Sequence, residues 1–212
     1  MSPHRDVTTA LMPRAELAID PVDAAARLLG CTLEATTSEG TVSARIVEVE
    51  AYRGLDDPAS HSYRGRTARN DVMWGPAGHL YVYFVYGMHF CANVVCLTDG
   101  VPGAVLLRAG EITSGVELAQ QRRRAARNHH DLARGPARLA SALGLVREHN
   151  GVDLTDAESS VRLYEAAPVV DERIRSGPRV GVAAAKETPW RFWLPDSRAV
   201  STYRRHEKRP RP

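Results

Sequence analysis

Glu48, Glu50 and Tyr52 stand at alternate positions in the stretch ARIVEVEAY. On an extended strand alternate residues share a face, so these three point one way, with Ile46 before them. Val47, Val49 and Ala51 form an apolar opposite face. A carboxylate on a well-covered strand beside an aromatic ring is equipped to act as a general base on water. The same pattern also describes a strand end with solvated glutamates, which is the commoner use of such a sequence. Arg108 closes a second apolar stretch, AVLLR. A guanidinium entering a core there needs an anion or a water network, and Glu50 is one candidate partner.

The segment LYVYFVYGMHFCANVV sets Tyr81 and Tyr83 on one strand face and Tyr86 at the turn that Gly87 permits. An aromatic at a tight turn can wedge into a base stack, and a second can sandwich a flipped base. Tyrosines packed in a sheet core are the commoner alternative. His61 lies in GLDDPASHSYRGRTARND, a polar, arginine-rich stretch read as a long loop of the kind that is usually functional in a compact domain. The neighbours His129 and His130 lack cysteine or carboxylate spacing to support a metal, so neither metal nor cofactor is expected. Of the side chains only Lys186 and Lys208 could form a Schiff base with a sugar, and neither falls in these motifs; the N-terminal amine could substitute but sits on a lead-in read as flexible, which favours water activation over amine chemistry.

The elements that must position these residues follow from turn and cap signals. Asp20-Pro21 caps a helix over VDAAARLLG that stops at Gly30. Leu33 to Glu50 reads as two strands turning at residues 38–40. HLYVYFVYG, FCANVVC and GAVLLRAG read as three further strands, followed by helices over 113–127 and 136–144, and late strands in VRLYE and RFWLP. The expected fold is α+β, a single domain with a curved, mostly antiparallel sheet and surrounding helices. Its expected limits are 14–200, between a flexible lead-in at 1–13 and a basic tail at 201–212.

At 212 residues with 43% hydrophobic and 25% charged side chains, the chain has material for one substantial core. No apolar run reaches the ~20 residues of a membrane span, and the first twenty residues have no apolar signal region. Three cysteines without C-x-x-C spacing fit reduced thiols in a cytoplasmic protein. The net charge is only +3, yet of 28 basic side chains only two are lysine. Arginine forks suit phosphate, though a GC-rich genome produces the same bias. The Arg122–Arg124 run reads as a solvated helix face.

Taken in order, RIVEVEAY, DPASHSYRGRTARN, GPAGHLYVYFVYGMHFCANVV, GAVLLRA, ARGPARLASALG, PRVGV and RFWL resemble the alkyladenine (3-methyladenine, methylpurine) DNA glycosylase family over roughly residues 15–195. The resemblance implies a mixed α/β domain around a curved antiparallel sheet. It implies that Glu50 deprotonates the attacking water, with Arg108 and the main-chain carbonyl near Val180 helping to hold that water. Tyr52, His61 and Tyr83 would wall a base pocket, and Asn93 would crowd the 2-amino group of normal guanine. Tyr86 would enter the minor groove, with Met88 and His89 against the duplex. The implied partner is damaged double-stranded DNA, bound by a nucleoid-associated monomer with no obligate protein partner. Val49 and His89 depart from members that carry threonine and tyrosine there. A non-catalytic nucleic-acid binder and a hydrolase of free nucleosides remain as alternatives. The basic loop (Arg64, Arg66, Arg69) and the Tyr86-Gly87 tip weigh against the second.

Overall fold

The structure is a computed structural model that describes residues 10–85 and 87–205. Its centre is a long strand. Glu34, Ala35 and their neighbours form β1 (Thr32–Thr37), which turns back through residues 38–39 into β2 (Gly40–Tyr52). The first half of β2 pairs with β1, and its second half takes β8 (Arg191–Trp193) along the same edge. Its other edge pairs with β5 (Ala104–Ser114) from Ser43 to Tyr52. β3 (Leu80–Val85) and β4 (His89–Val95) form a hairpin on the far side of β5. β6 (Val161–Tyr164) closes the β1 edge, and β7 (Arg175–Gly177) pairs with β8. All eight strands pair antiparallel in one sheet, as the alternating pattern predicts for an α+β domain.

Helix α1 (Pro21–Leu28) begins as its sequence dictates, with the Asp20 carboxylate accepting from the Val22 N–H and proline in the first turn. It packs against β2 and buries Ala24, Ala25 and Leu28, while α3 (Pro136–Leu143) packs against β4 and β5. One apolar core fills the space between these helices and the sheet. Between them, the helix anticipated at 113–127 is only α2 (Val116–Arg122). β5 continues to Ser114, which pairs with Ser43, and Gly115 makes the corner at φ +69°. At the other end Arg123 leaves helical geometry while its side chain donates to the Leu132 carbonyl. Arg122 is not solvated either, because it pairs with Glu39 and donates to Thr37 and Ala142.

The fold takes in residues just beyond both ends of the expected 14–200 range. Met12 is fully buried and its N–H donates to Leu163, so the chain is already part of the fold before residue 14. Ser201 is buried too, against Glu48. No helix among the described residues is long and apolar enough to cross a membrane.

Candidate active site

The buried charges of the described residues are three carboxylates, Glu48, Glu50 and Asp57, and three guanidiniums, Arg108, Arg179 and Arg191. All six meet at the C-terminal half of β2. Burying one charge without a partner costs several kcal/mol, roughly, so a matched set in one place marks a site more than a stabilising device.

A pair of β-bulges brings the set together. Between Ile46 and Glu48, β2 advances two residues against one on β5, leaving Val47 extra. At the next step β5 advances two residues, Leu107 to Ala109, against one on β2, leaving Arg108 extra. Bulges of this kind re-aim a side chain. Arg108 reaches both glutamates, with Nε 2.9 Å from Glu48 and Nη1 3.2 Å from Glu50. Glu48 is completely buried rather than solvated. It also accepts from Arg191 Nε at 2.8 Å and from the Ser201 N–H and hydroxyl.

Glu50 is equally buried, and its acceptor capacity can be counted. Oε1 accepts from the Val180 N–H at 2.7 Å and faces Arg108, while Oε2 accepts from the Tyr52 hydroxyl at 2.8 Å. A carboxylate has about four lone-pair sites, so one on Oε2 remains for a further donor. At Val180, therefore, it is the amide that engages the carboxylate. Burial first, and then the Glu50 charge, push the Tyr52 phenol well above its ordinary pKa, which keeps it a donor.

Glu50 lines a cavity of about 480 Å³, within the roughly 300–1,000 Å³ usual for small-molecule sites. Glu50, Arg108, Tyr52, His61, Tyr83 and Asn93 all line it. Tyr83 stacks on Tyr81 at 5.1 Å between centroids and meets the edge of His61 at 4.7 Å. His61 Nδ1 lies 3.2 Å from the Tyr81 hydroxyl. Burial, and then the Arg69 charge, lower the His61 pKa below its ordinary value, so the imidazole adds no positive charge to the cavity at neutral pH. The opposite wall is the segment Val180–Ala184, and Lys186 stands two residues beyond it without lining the cavity.

Met88 and His89 do not line the cavity. They sit at the β3–β4 turn, where Met88 is 69% exposed, and Tyr86 falls outside the described residues. In the basic loop Arg66 is engaged by Asp71, and Arg69 lies over the Tyr83 ring at 5.8 Å. Sequence reasoning gave no role to Asp57, Arg179, Arg191 or Ser201. Arg179 sits in PRVGV and Asp57 before Pro58, but nothing in either segment marks them as partners.

The model of the family described as methylpurine-DNA glycosylase matches residues 15–198. A relative from Nocardia farcinica is 52% identical over 200 residues, covering 92% of each chain. One from Rhodococcus jostii is 53% identical over 207 residues, covering 95% of this chain and 88% of its own. One from Mycobacterium tuberculosis is 52% identical over 200 residues, covering 92% and 95%. Each bears the name 3-methyladenine DNA glycosylase. Likeness over almost the whole length, including every segment that builds the cavity, places the chain in the methylpurine-DNA glycosylase family.

Proposed function

We propose that this chain removes alkylated purines such as 3-methyladenine and 7-methylguanine from duplex DNA, hydrolysing the N-glycosidic bond and leaving an abasic site. The observation that carries the reading is Glu50: a buried carboxylate that accepts from Tyr52 and Val180, pairs with Arg108 and lines a cavity shared with Tyr52 and Tyr83. A 3- or 7-alkylated purine carries positive charge and departs without needing a proton. The remaining tasks are to stabilise a developing sugar cation and to deliver water to C1′. A carboxylate at that point does both, by its charge and as a general base. Arg108 and the Val180 amide hold it in one orientation, so the water it activates meets the sugar from one side.

The base itself sits in the cavity. Stacking a cationic base on the faces of Tyr52 and Tyr83 adds a cation–π preference of roughly 1–2 kcal/mol over a neutral base. His61, held neutral, can meet a purine edge without repelling it. Asn93, from β4, crowds the place of a guanine 2-amino group. The β3–β4 tip, with Tyr86, Met88 and His89, enters the minor groove and fills the space of the extruded nucleotide. Water rather than an amine is the nucleophile in this reading, and Lys186, the one lysine among the described residues, does not line the cavity. A pure binder has no use for a buried carboxylate aimed into its ligand site, and a nucleoside hydrolase has none for an exposed hairpin tip.

One assay tests the reading. The wild-type chain is incubated with N-methylated duplex DNA and with the methylated free nucleoside, and released base is measured. Release from the duplex alone is expected, and borohydride is expected to trap no adduct. Glu50→Gln should retain lesion binding but slow release by about 10²–10⁴-fold. Undiminished release by that variant removes Glu50 as the base.

A further inference from the structure

Arg179 is the largest almost completely buried side chain among the described residues, and its contacts fall on Ala51, Tyr52, Asp57 and Trp190, next to Glu50 in the chain or in space. Its two terminal nitrogens both donate to the Asp57 carboxylate, and Nη1 also donates to the carbonyl of Ala51 at 2.9 Å. Ala51 lies between Glu50 and Tyr52. The guanidinium stacks 4.7 Å from the Tyr52 ring and 5.2 Å from that of Trp190, whose carbonyl accepts from the Ala51 N–H. The next residue, Val180, gives its N–H to Glu50. Asp57 in turn accepts from the Ala59 N–H and begins the Pro58–Ala59 wall of the cavity.

We infer that Arg179 and Asp57 are a positioning pair, which holds the Val180 amide and the Tyr52 hydroxyl on Glu50 and thereby sets the aim of the water-activating carboxylate. The inference rests on Glu50 being the base. The pair touches no reacting atom, since Arg179 does not line the cavity. It acts through two donors. Val180 follows Arg179 directly, so a shift of the guanidinium moves that amide away from Oε1. Tyr52 is clamped between its bond to Glu50 and the guanidinium under its ring, so loss of the cation frees the phenol to swing. Misplacement of a catalytic group by about 1 Å costs on the order of 10²-fold in rate. The substrate-facing surface of the tyrosine ring and the Tyr83–His61 wall are left in place, so binding of the extruded base should survive.

The decisive experiment compares single-turnover release from N-methylated duplex with the Kd for a duplex carrying an uncleavable abasic-site analogue. The proteins are wild type, Arg179→Lys, Arg179→Met and the double variant Asp57→Asn/Arg179→Met. The double variant removes both charges together, so it keeps the protein folded even where Arg179→Met, with its orphaned Asp57, does not. The expected result is release slowed by about 100-fold in the double variant with Kd changed by less than about threefold, and partial recovery in Arg179→Lys, which keeps one donor on Asp57. A folded double variant that releases base at the wild-type rate overturns the inference. So does a rate that falls while Kd rises in parallel, or a double variant that cannot fold, since each makes the pair only a structural brace. Failure of the underlying reading looks different: the wild-type protein itself then releases no base, or Glu50→Gln releases it normally.

Discussion

The Tyr52 hydroxyl donates to Glu50 Oε2 at 2.8 Å from two positions further along the same strand. That relationship gives one side chain two duties, a ring face for the base and a hydrogen bond for the carboxylate, and Tyr52→Phe separates them. A hydrogen bond to a charged group contributes about 1.5–3 kcal/mol, so its loss should slow base release by roughly 10–100-fold. The ring remains, and affinity for lesion duplex should hold. Single-turnover kinetics beside a binding titration give both numbers. Release within about twofold of wild type would mean that the hydroxyl does not orient the base.

Asn93 is held on β4 between Tyr81 and Leu106, and its Oδ1 is buried with no hydrogen-bond partner. Because it lines the cavity and its Oδ1 makes no hydrogen bond there, its role in the proposed reading is exclusion by shape. Asn93→Ser opens the space of a guanine 2-amino group, and release of guanine from unmodified duplex should rise by on the order of tenfold. The measurement is free guanine after long incubation with undamaged DNA. If none appears above background, Asn93 is not the filter.

Much of this arrangement is legible in the sequence, and the illegible part has a physical cause. Alternation in ARIVEVEAY places Glu48, Glu50 and Tyr52 on one face because a strand has a period of two, and Glu50 and Tyr52 do line one cavity. Turn and cap residues place α1 and the β1–β2 hairpin. The bulges at Val47 and Arg108 leave no such trace, since neither residue type is special to a bulge, yet they aim Arg108 at both glutamates. Solvation of Glu48 cannot be judged from β2 alone either, because what covers it, Arg191 and Ser201, arrives more than a hundred residues later. The bond between Asp57 and Arg179 spans 122 positions and is visible only once the chain is folded.

The His61 ring faces the Tyr81 hydroxyl, the Tyr83 ring and, through its field, Arg69. Burial is the larger cause of its lowered pKa and the Arg69 cation the smaller, so Arg69→Gln should return only part of the shift towards the ordinary 6.5. The folded protein binds fewer protons at His61 than the unfolded chain between the lowered midpoint and 6.5. Acidification through that window therefore costs stability, and the variant should narrow the window from below. An NMR titration of the imidazole C–H resonances measures the midpoint in both proteins. An unmoved midpoint would show that Arg69 does not act on this histidine.

Gly54 stands two residues after Tyr52, the last residue of β2, and starts the loop that carries Asp57, the Pro58–Ala59 wall and His61. Its φ is +65°, and a Cβ there would stand 1.9 Å from the Pro102 carbonyl oxygen. Gly54→Ala thus combines left-handed strain of about 1–2 kcal/mol with an overlap against backbone that cannot swing aside. Gly65, in the same loop at φ +96°, has nothing within 4 Å of its would-be Cβ and serves as the comparison. Urea unfolding should register a loss of at least about 3 kcal/mol for Gly54→Ala and only the strain, about 1–2 kcal/mol, for Gly65→Ala. The residual folded Gly54→Ala protein should also release base more slowly, because the Pro102 contact fixes where the cavity wall begins. Equal losses in the two variants would mean that the close approach to Pro102 does not restrain this loop.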